Sequence, residues 1–267
     1  NDDLLTYGGE IAIDLIENEK PDLMLYHAVH LDHIRHVYGD HAPETEDCLK
    51  TLDILVHRII EATKRAGTYK DTNFVILGDH GQINIDRVFY LNNALRDAGL
   101  IQVDENGAPV SYDAYAFSAG FSTHVYLRDP SDAELVDKVG AILNGLHKAF
   151  PQYIERVYTK QEATELEHLT GGFSFVLEGT EGTILQSEVN NGPYVRIKTD
   201  PNFKGYGAMH GHHPDKGPKP PFIAFGPDVK EGVHLDGVSM LDLCPTMAAL
   251  AGVQMDGMVG KPLPFLK

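Results

Sequence analysis

Residues 74–81 read Phe74-Val75-Ile76-Leu77-Gly78-Asp79-His80-Gly81, an apolar run that ends abruptly in an acid, an imidazole and a glycine. Such a run, rich in β-branched residues, is typical of a strand that is buried on both faces of a parallel sheet. Asp79 and His80 would then lie at the carboxyl end of that strand, where open α/β sheets bind their ligands. A carboxylate beside an imidazole can form half of a divalent-metal site. The alternative is a simple turn that Gly81 closes.

Two further clusters contain the ligand types that a metal would need. The segment Asp32-His33-Ile34-Arg35-His36 follows a second predicted strand at 23–27. One helical turn would place Asp32 and His36 on the same face of a helix. The segment His210-Gly211-His212-His213-Pro214 is a predicted loop that precedes a third strand at 221–225. The alternative is an accidental excess of solvated histidines, since the chain contains 14 of them.

Composition narrows the class of protein. The chain has 267 residues, of which 42% are hydrophobic and 23% charged, as in a soluble globular protein with one large α/β domain. Its net charge of −17 argues against binding to a nucleic-acid backbone or to an anionic membrane surface. No apolar run reaches transmembrane length and no signal-peptide pattern begins the sequence, so we expect no membrane segment and a cytoplasmic location.

The order of elements predicts the fold class. Apolar residues at helical spacing predict helices at 3–18, 44–66, 86–98, 131–149 and 239–250. From residue 23 to residue 81 the order is strand, ligand loop, helix, strand, ligand loop, which is a βαβ unit. We therefore predict an α/β fold with a mostly parallel sheet flanked by helices, formed by residues 1–99 and 206–267. Residues 100–205, with short alternating strands, predict an inserted α+β subdomain that shapes the substrate pocket.

The three clusters, in this order and spacing, resemble the alkaline phosphatase superfamily, and within it the type I phosphodiesterase/nucleotide pyrophosphatase family. That family shows Asp-x-x-Gly-His, then a strand ending in Ser-Asp-His-Gly, and after a long insertion Gly-x-His-Gly. The last motif is followed by a strand that ends in Gly-Pro and by a closing helix with Leu-Asp-x-x-Pro-Thr. The matching segments here are 32–36, 78–81, 207–211, 226–227 and 241–246. Arg35 stands where the family prefers Gly. The long insertion before His210 distinguishes the chain from cofactor-independent phosphoglycerate mutases, in which the last histidine follows Asp-His closely.

The resemblance implies a set of metal ligands. Asp32, His36 and His210 would hold one divalent ion, and Asp79 and His80 would supply half of a second site. This donor set suits zinc, with manganese as the alternative. His212 would line the substrate pocket, or would simply cover the loop.

The resemblance also implies residues that are not in the sequence. The family's further metal-binding Asp and its Thr or Ser nucleophile precede these motifs, and nothing before Asp32 has that pattern. We therefore expect the chain to be the carboxyl-terminal part of a longer protein. Taken alone it would lack a catalytic nucleophile and would be inactive.

The implied function is metal-dependent hydrolysis of a phosphodiester or pyrophosphate bond in a small phosphate ester, of which a nucleotide is one example. A phosphomonoesterase, a phosphonate hydrolase or a sulfatase of the same superfamily is the alternative within the enzyme class, because the metals do not determine the leaving group. A non-catalytic metal-binding module is the alternative from another class. The sequence leaves the oligomeric state open.

Overall fold

The computed structural model describes residues 2–267, in which helices and strands are mixed along the chain. The helices are α1 (Asp2–Asn18), α2 (His30–Tyr38), α3 (Pro43–Ala66), α4 (Leu91–Asp97), α5 (Ala133–Ala149), α6 (Lys160–Glu167) and α7 (Met240–Leu250). The strands are β1 (Phe74–Leu77), β2 (Ile83–Asn84), β3 (Arg87–Tyr90), β4 (Ile101–Val103), β5 (Pro109–Tyr112), β6 (Ala114–Ser118), β7 (Ser122–Leu127), β8 (Ile154–Thr159), β9 (Phe175–Gly179), β10 (Thr183–Gln186), β11 (Val195–Ile197), β12 (Ala208–Met209) and β13 (Phe222–Phe225). The predicted α/β class is confirmed.

Packing divides the chain into two compact units. The first unit comprises residues 2–33, Glu46–Asp79 and Pro220–Lys267, and the second comprises Ile34–Thr45 and His80–Lys219. These bounds describe how the residues pack and do not show whether one segment is inserted into the other unit. The domain boundaries given above, with an inserted subdomain at 100–205, therefore stay a prediction. Across residues 2–267 no helix combines the length and apolarity that a membrane span requires.

The first unit contains the helices at both ends of the sequence. α1 and α3 pack through Ile13, Ile16 and Ala62. β1 and β13 form an antiparallel ladder in which Phe74 lies opposite Phe225, with the two rings stacked at 4.8 Å. Three predicted helices, at 3–18, 44–66 and 239–250, are confirmed in this unit.

The predicted strand at 23–27 does not form. Residues 23–27 belong to no helix or strand, and the side chains of Leu23 and Leu25 are 58% and 77% exposed. An apolar run becomes a strand only where a neighbouring strand accepts its backbone hydrogen bonds, and β1 pairs with β13 instead. The expectation of a mostly parallel sheet is also corrected, because among the described ladders only that of β3 with β10 is parallel.

The second unit is built around a four-stranded antiparallel sheet with the order β6-β7-β9-β8. Its buried core includes Val125 and Leu177 of the sheet and Val139 and Leu143 of α5. A second sheet has the order β10-β3-β11. The helix predicted at 86–98 is wrong in its first half, since 87–90 form the central strand of this sheet and only Leu91–Asp97 are helical. A strand buried on both faces presents the same continuous apolar run as a buried helix, so periodicity does not separate the two.

α6 is held at both ends by local interactions. The Thr159 hydroxyl accepts a hydrogen bond from the backbone of Glu162, whose carboxylate in turn accepts one from the Thr159 backbone, which is a capping box. The helix ends at Glu167, and His168 adopts a left-handed conformation with φ of 54° directly after it. These two ends fix the position of Glu167, whose carboxylate contacts the loop after β12 as described below.

Removing the cap should destabilise this helix measurably. We expect Thr159→Ala to lower the free energy of unfolding by about 1 kcal/mol, because the backbone amide of Glu162 loses the hydroxyl that accepts its hydrogen bond. Urea unfolding followed by circular dichroism measures the change. Gln161→Ala in the same helix is the control: it removes only an exposed side-chain bond to Glu165, for which a few tenths of a kcal/mol are expected. Equal effects of the two changes would contradict the role of the cap.

Candidate metal centre

Three histidines from separate parts of the sequence lie together in the second unit. His36 lies in the last turn of α2, His80 follows β1 in sequence, and His210 follows β12. The ring centroids of His36 and His210 are 5.1 Å apart, and those of His80 and His210 are 4.1 Å apart. Imidazole nitrogens are the ligands that zinc prefers together with carboxylates. The geometry therefore brings together three of the predicted metal ligands.

The ring of His36 is oriented by a backbone carbonyl. Its Nδ1 lies 2.9 Å from the carbonyl oxygen of Ala208, and because a carbonyl can only accept, Nδ1 carries the proton and donates. This tautomer presents Nε2 as the ligating nitrogen, an arrangement that is usual for metal-bound histidine. The backbone of His36 also takes part, since its carbonyl accepts a hydrogen bond from the amide of Gly207 at 2.6 Å.

Two motif glycines let separate backbone segments approach each other. A Cβ at Gly207 would lie 2.4 Å from the nitrogen of Gly39, which follows α2. A Cβ at Gly211 would lie 1.6 Å from the carbonyl oxygen of Ala119, and Gly211 has a φ of +81°. Both positions therefore exclude a side chain. The first approach places residue 207 against the end of α2, and the second places the His210 loop against the turn between β6 and β7.

Backbone hydrogen bonds fix the second approach. The amide of Phe121 donates to the carbonyl of His210 at 3.3 Å, and the amide of Ser122 donates to the carbonyl of Gly211 at 3.0 Å. On its amino-terminal side the same loop continues from β12, which pairs with β2 by placing Met209 opposite Ile83. His210 therefore lies between a short ladder and a tight turn.

The two predicted carboxylate ligands belong to the first unit, each next to its junction in sequence with the second. Asp32 lies in the first turn of α2, one turn before His36, so that both side chains project from one face of the helix. Asp79 directly precedes His80 and is exposed, with a carboxylate oxygen 3.9 Å from Nε2 of His27. The predicted helical turn from Asp32 to His36 is confirmed. Ligation by these two carboxylates stays a prediction.

His212 packs against the interior of the second unit. Its ring meets that of Phe121 edge to face at 5.8 Å, and among the described residues its Nδ1 has no hydrogen-bond partner. Burial lowers the pKa of His212, and the nearby Lys216 ammonium lowers it further. His212 is therefore neutral at pH 7. Its predicted contact with substrate stays a prediction.

Sequence reasoning missed an acid that contacts the His210 loop from the sheet. Glu178 lies on β9 and is 6% exposed. Its Oε1 accepts hydrogen bonds from the backbone amide of His213 at 2.9 Å and contacts Nζ of Lys216 at 2.5 Å. Burial raises the pKa of Glu178, and the contact with Lys216 opposes this only in part. The signal was available, since Glu178 is the one charged residue in the apolar run 173–178.

A second acid contacts the same loop. The carboxylate of Glu167 lies 2.9 Å from Nε2 of His213 and accepts a hydrogen bond from the hydroxyl of Tyr158 at 3.1 Å. The pKa of Glu167 is lowered, chiefly by the bond with His213. His213 thus anchors the loop through both its ring and its backbone amide.

The family follows from a comparison of sequences. A sequence profile of the type I phosphodiesterase/nucleotide pyrophosphatase family matches residues 4–189, which include Asp32, His36, Asp79 and His80. The chain belongs to that family. Its members are metal-dependent hydrolases of phosphodiesters and nucleotide pyrophosphates. His210 lies outside the matched residues, so its assignment depends on its position beside His36 and His80.

Individual proteins that resemble the chain support this family assignment. An uncharacterized pyrophosphatase/phosphodiesterase of Schizosaccharomyces pombe is 31% identical over 83 residues, which are 30% of this chain and 17% of the yeast protein. The structure of mouse ectonucleotide pyrophosphatase/phosphodiesterase 5 superposes with a TM-score of 0.69 at 18% identity, covering 97% of this chain and 63% of the mouse chain. An inactive variant of that mouse protein in complex with AMP gives a TM-score of 0.63 at 18% identity, over 88% and 56% of the two chains. The likeness in structure shows the alkaline phosphatase-like fold. The chain spans less than two thirds of each of these relatives.

The close approach at Gly211 can be tested with a single methyl group. We expect Gly211→Ala to lower the free energy of unfolding by about 2 kcal/mol or more, because the new Cβ meets the Ala119 carbonyl and φ is positive. Gly145→Ala is the matched control, since a Cβ there meets no atom within 4 Å and the site lies inside α5. It should stabilise by up to about 1 kcal/mol. Chemical denaturation of both variants measures the difference, and a neutral Gly211→Ala would refute the close approach.

Proposed function

We propose that this chain provides the metal-binding part of a phosphodiesterase or pyrophosphatase that acts on small phosphate esters at two divalent ions. The observation that carries the proposal is the cluster of His36, His80 and His210 in a chain of this family. Asp32, His36 and His210 would hold one ion, and Asp79 and His80 would supply half of the other site.

The donor atoms fit the proposed ions. Three imidazoles and two carboxylates are the ligand types of zinc sites, with manganese as the alternative. The bond from His36 Nδ1 to the Ala208 carbonyl gives the tautomer and ring orientation that a metal ligand needs. Divalent ions held here would supply the charge that neutralises phosphoryl oxygens and lowers the pKa of an attacking hydroxyl or water.

The charge of the chain supports a role for cations. A net charge of −17 disfavours the approach of a phosphate ester. Bound divalent ions would reverse the local sign of the potential where the substrate binds. The complex of the related mouse protein with AMP supports a nucleotide as one member of the substrate class.

Replacement of His210, the ligand most distant in sequence from the others, tests the proposed metal centre most directly. We expect His210→Ala, made in the whole protein, to lower metal content and to reduce turnover of bis(p-nitrophenyl) phosphate at least about 100-fold, since a ligand matters more than its supporting groups. Plasma mass spectrometry measures the metal and absorbance measures the product. His234→Ala is the control, because this side chain is 91% exposed. A His210→Ala protein that keeps its metal and its turnover would contradict the proposal.

Metal binding can also be measured without turnover. We expect zinc or manganese to raise the melting temperature of the metal-free chain, because an ion that binds only the native state stabilises it by about 2.7 kcal/mol at a hundredfold excess over Kd. Differential scanning calorimetry with and without a chelator detects this shift. A whole protein that binds the metal but hydrolyses neither nucleotides nor nitrophenyl esters would favour the non-catalytic metal-binding module.

A further inference from the structure

Glu178 stands out because it is the one buried carboxylate among the residues that the structure describes. It lies on β9 opposite Ser122 of β7 and Arg156 of β8. We propose that Glu178 is a positioning residue, whose carboxylate fixes the loop after β12 and thereby the ring of His210. The inference rests on the proposed function, since the role of His210 as a metal ligand belongs to it.

One oxygen of Glu178 holds the loop at two points. Oε1 accepts from the amide of His213 at 2.9 Å and contacts Nζ of Lys216 at 2.5 Å. Lys216 in turn donates to the carbonyl of Gly179 at 2.9 Å and to the carboxylate of Glu155 at 2.8 Å. The loop is therefore tied to β9 at His213 and Lys216, by hydrogen bonds of which those to the Glu178 carboxylate are charge-assisted.

Backbone bonds hold the loop at His210 and Gly211 themselves. There the amides of Phe121 and Ser122 donate to the carbonyls of His210 and Gly211. These bonds fix the main chain at the ligand, whereas Glu178 fixes the main chain three residues later. Two fixed points on either side of Gly211 define the direction in which the His210 ring leaves the loop, because a glycine between them would otherwise allow many backbone conformations.

Fold stability does not account for the charge at this position. Burial raises the pKa of Glu178 above its usual value, against the opposing effect of Lys216 and with a small further rise from Glu155. The native state thus binds this proton more tightly than the unfolded chain does. The free energy of unfolding consequently falls as pH rises from the usual glutamate pKa to the raised value. A buried ion pair of this kind can be replaced by apolar side chains with little loss of stability, or with a gain.

The decisive variant removes both charges and keeps the volume. We expect Glu178→Leu combined with Lys216→Met to weaken binding of Zn²⁺ by about 10-fold to 100-fold, the range found when groups supporting a metal ligand are lost. Competition with a chromophoric chelator measures this affinity in the chain. The melting temperature should stay within a few degrees of the original, and protection of the His213 amide from hydrogen exchange in metal-free protein should fall at least 10-fold.

Two single variants separate positioning from charge. Glu178→Gln keeps a carbonyl oxygen where both bonds are accepted, so affinity and amide protection should stay within about threefold of the original. Glu155→Gln is the control, because Glu155 also contacts Lys216 but is half exposed. This change should alter neither the affinity for zinc nor the protection of the His213 amide. If the double variant fails to fold, Glu178→Asp, whose shorter side chain withdraws the oxygen, replaces it and should show the same loss of affinity.

The outcomes distinguish this inference from the function on which it rests. A chain that binds neither zinc nor manganese refutes the proposed centre, and the exchange rate of the His213 amide then decides alone whether Glu178 fixes the loop. A chain that binds zinc equally tightly with and without the Glu178 and Lys216 charges refutes the positioning role and leaves the proposed function intact.

Discussion

The close contact between residues 36–39 and the segment at 207–208 is the constraint on which the candidate centre depends. The amide of Gly207 donates to the carbonyl of His36, and the carbonyl of Ala208 accepts from the His36 ring. Both bonds require a backbone separation that a side chain at residue 207 would prevent. A helix end and a remote loop are thereby fixed to each other by main-chain groups. The imidazoles of His36 and His210 then lie with their ring centroids 5.1 Å apart.

Local patterns predicted the elements that carry the ligands. The spacing of Asp32 and His36 predicted one turn of helix, and α2 contains both. The apolar run before Asp79 predicted a strand and the run after Pro221 predicted another. β1 and β13 form there, although β1 was expected to be buried in a parallel sheet and instead pairs antiparallel with β13, with no fully buried residue in either strand. These predictions succeeded because each depends on neighbours within a few residues. The proximity of His210 to His36 and His80 depended on the resemblance to a family, since no local rule relates residues so far apart in the sequence.

The failures have a common physical cause. The runs at 23–26 and 88–90 are both short and apolar, yet the first forms no ladder and the second lies in the central strand of a sheet. What separates them is the presence of partner strands, which for β3 come from β10 and β11, far along the chain. Pairing of this kind is a property of the whole fold. Glu178 was missed for a similar reason, because its partners Lys216 and His213 lie in a loop distant in sequence.

The three clustered histidines differ in how rigidly their own elements hold them. His36 belongs to a helix, whereas His80, three residues after β1, and His210, directly after β12, lie outside helices and strands. A ligand on a loop needs additional anchors to reach the precision that regular elements provide. The anchors are found where this argument requires them, in the backbone bonds from the β6–β7 turn and in the carboxylates of Glu178 and Glu167. The cost of burying Glu178 follows from that need, because its side-chain oxygen on β9 accepts from the amide of His213 and contacts the ammonium of Lys216.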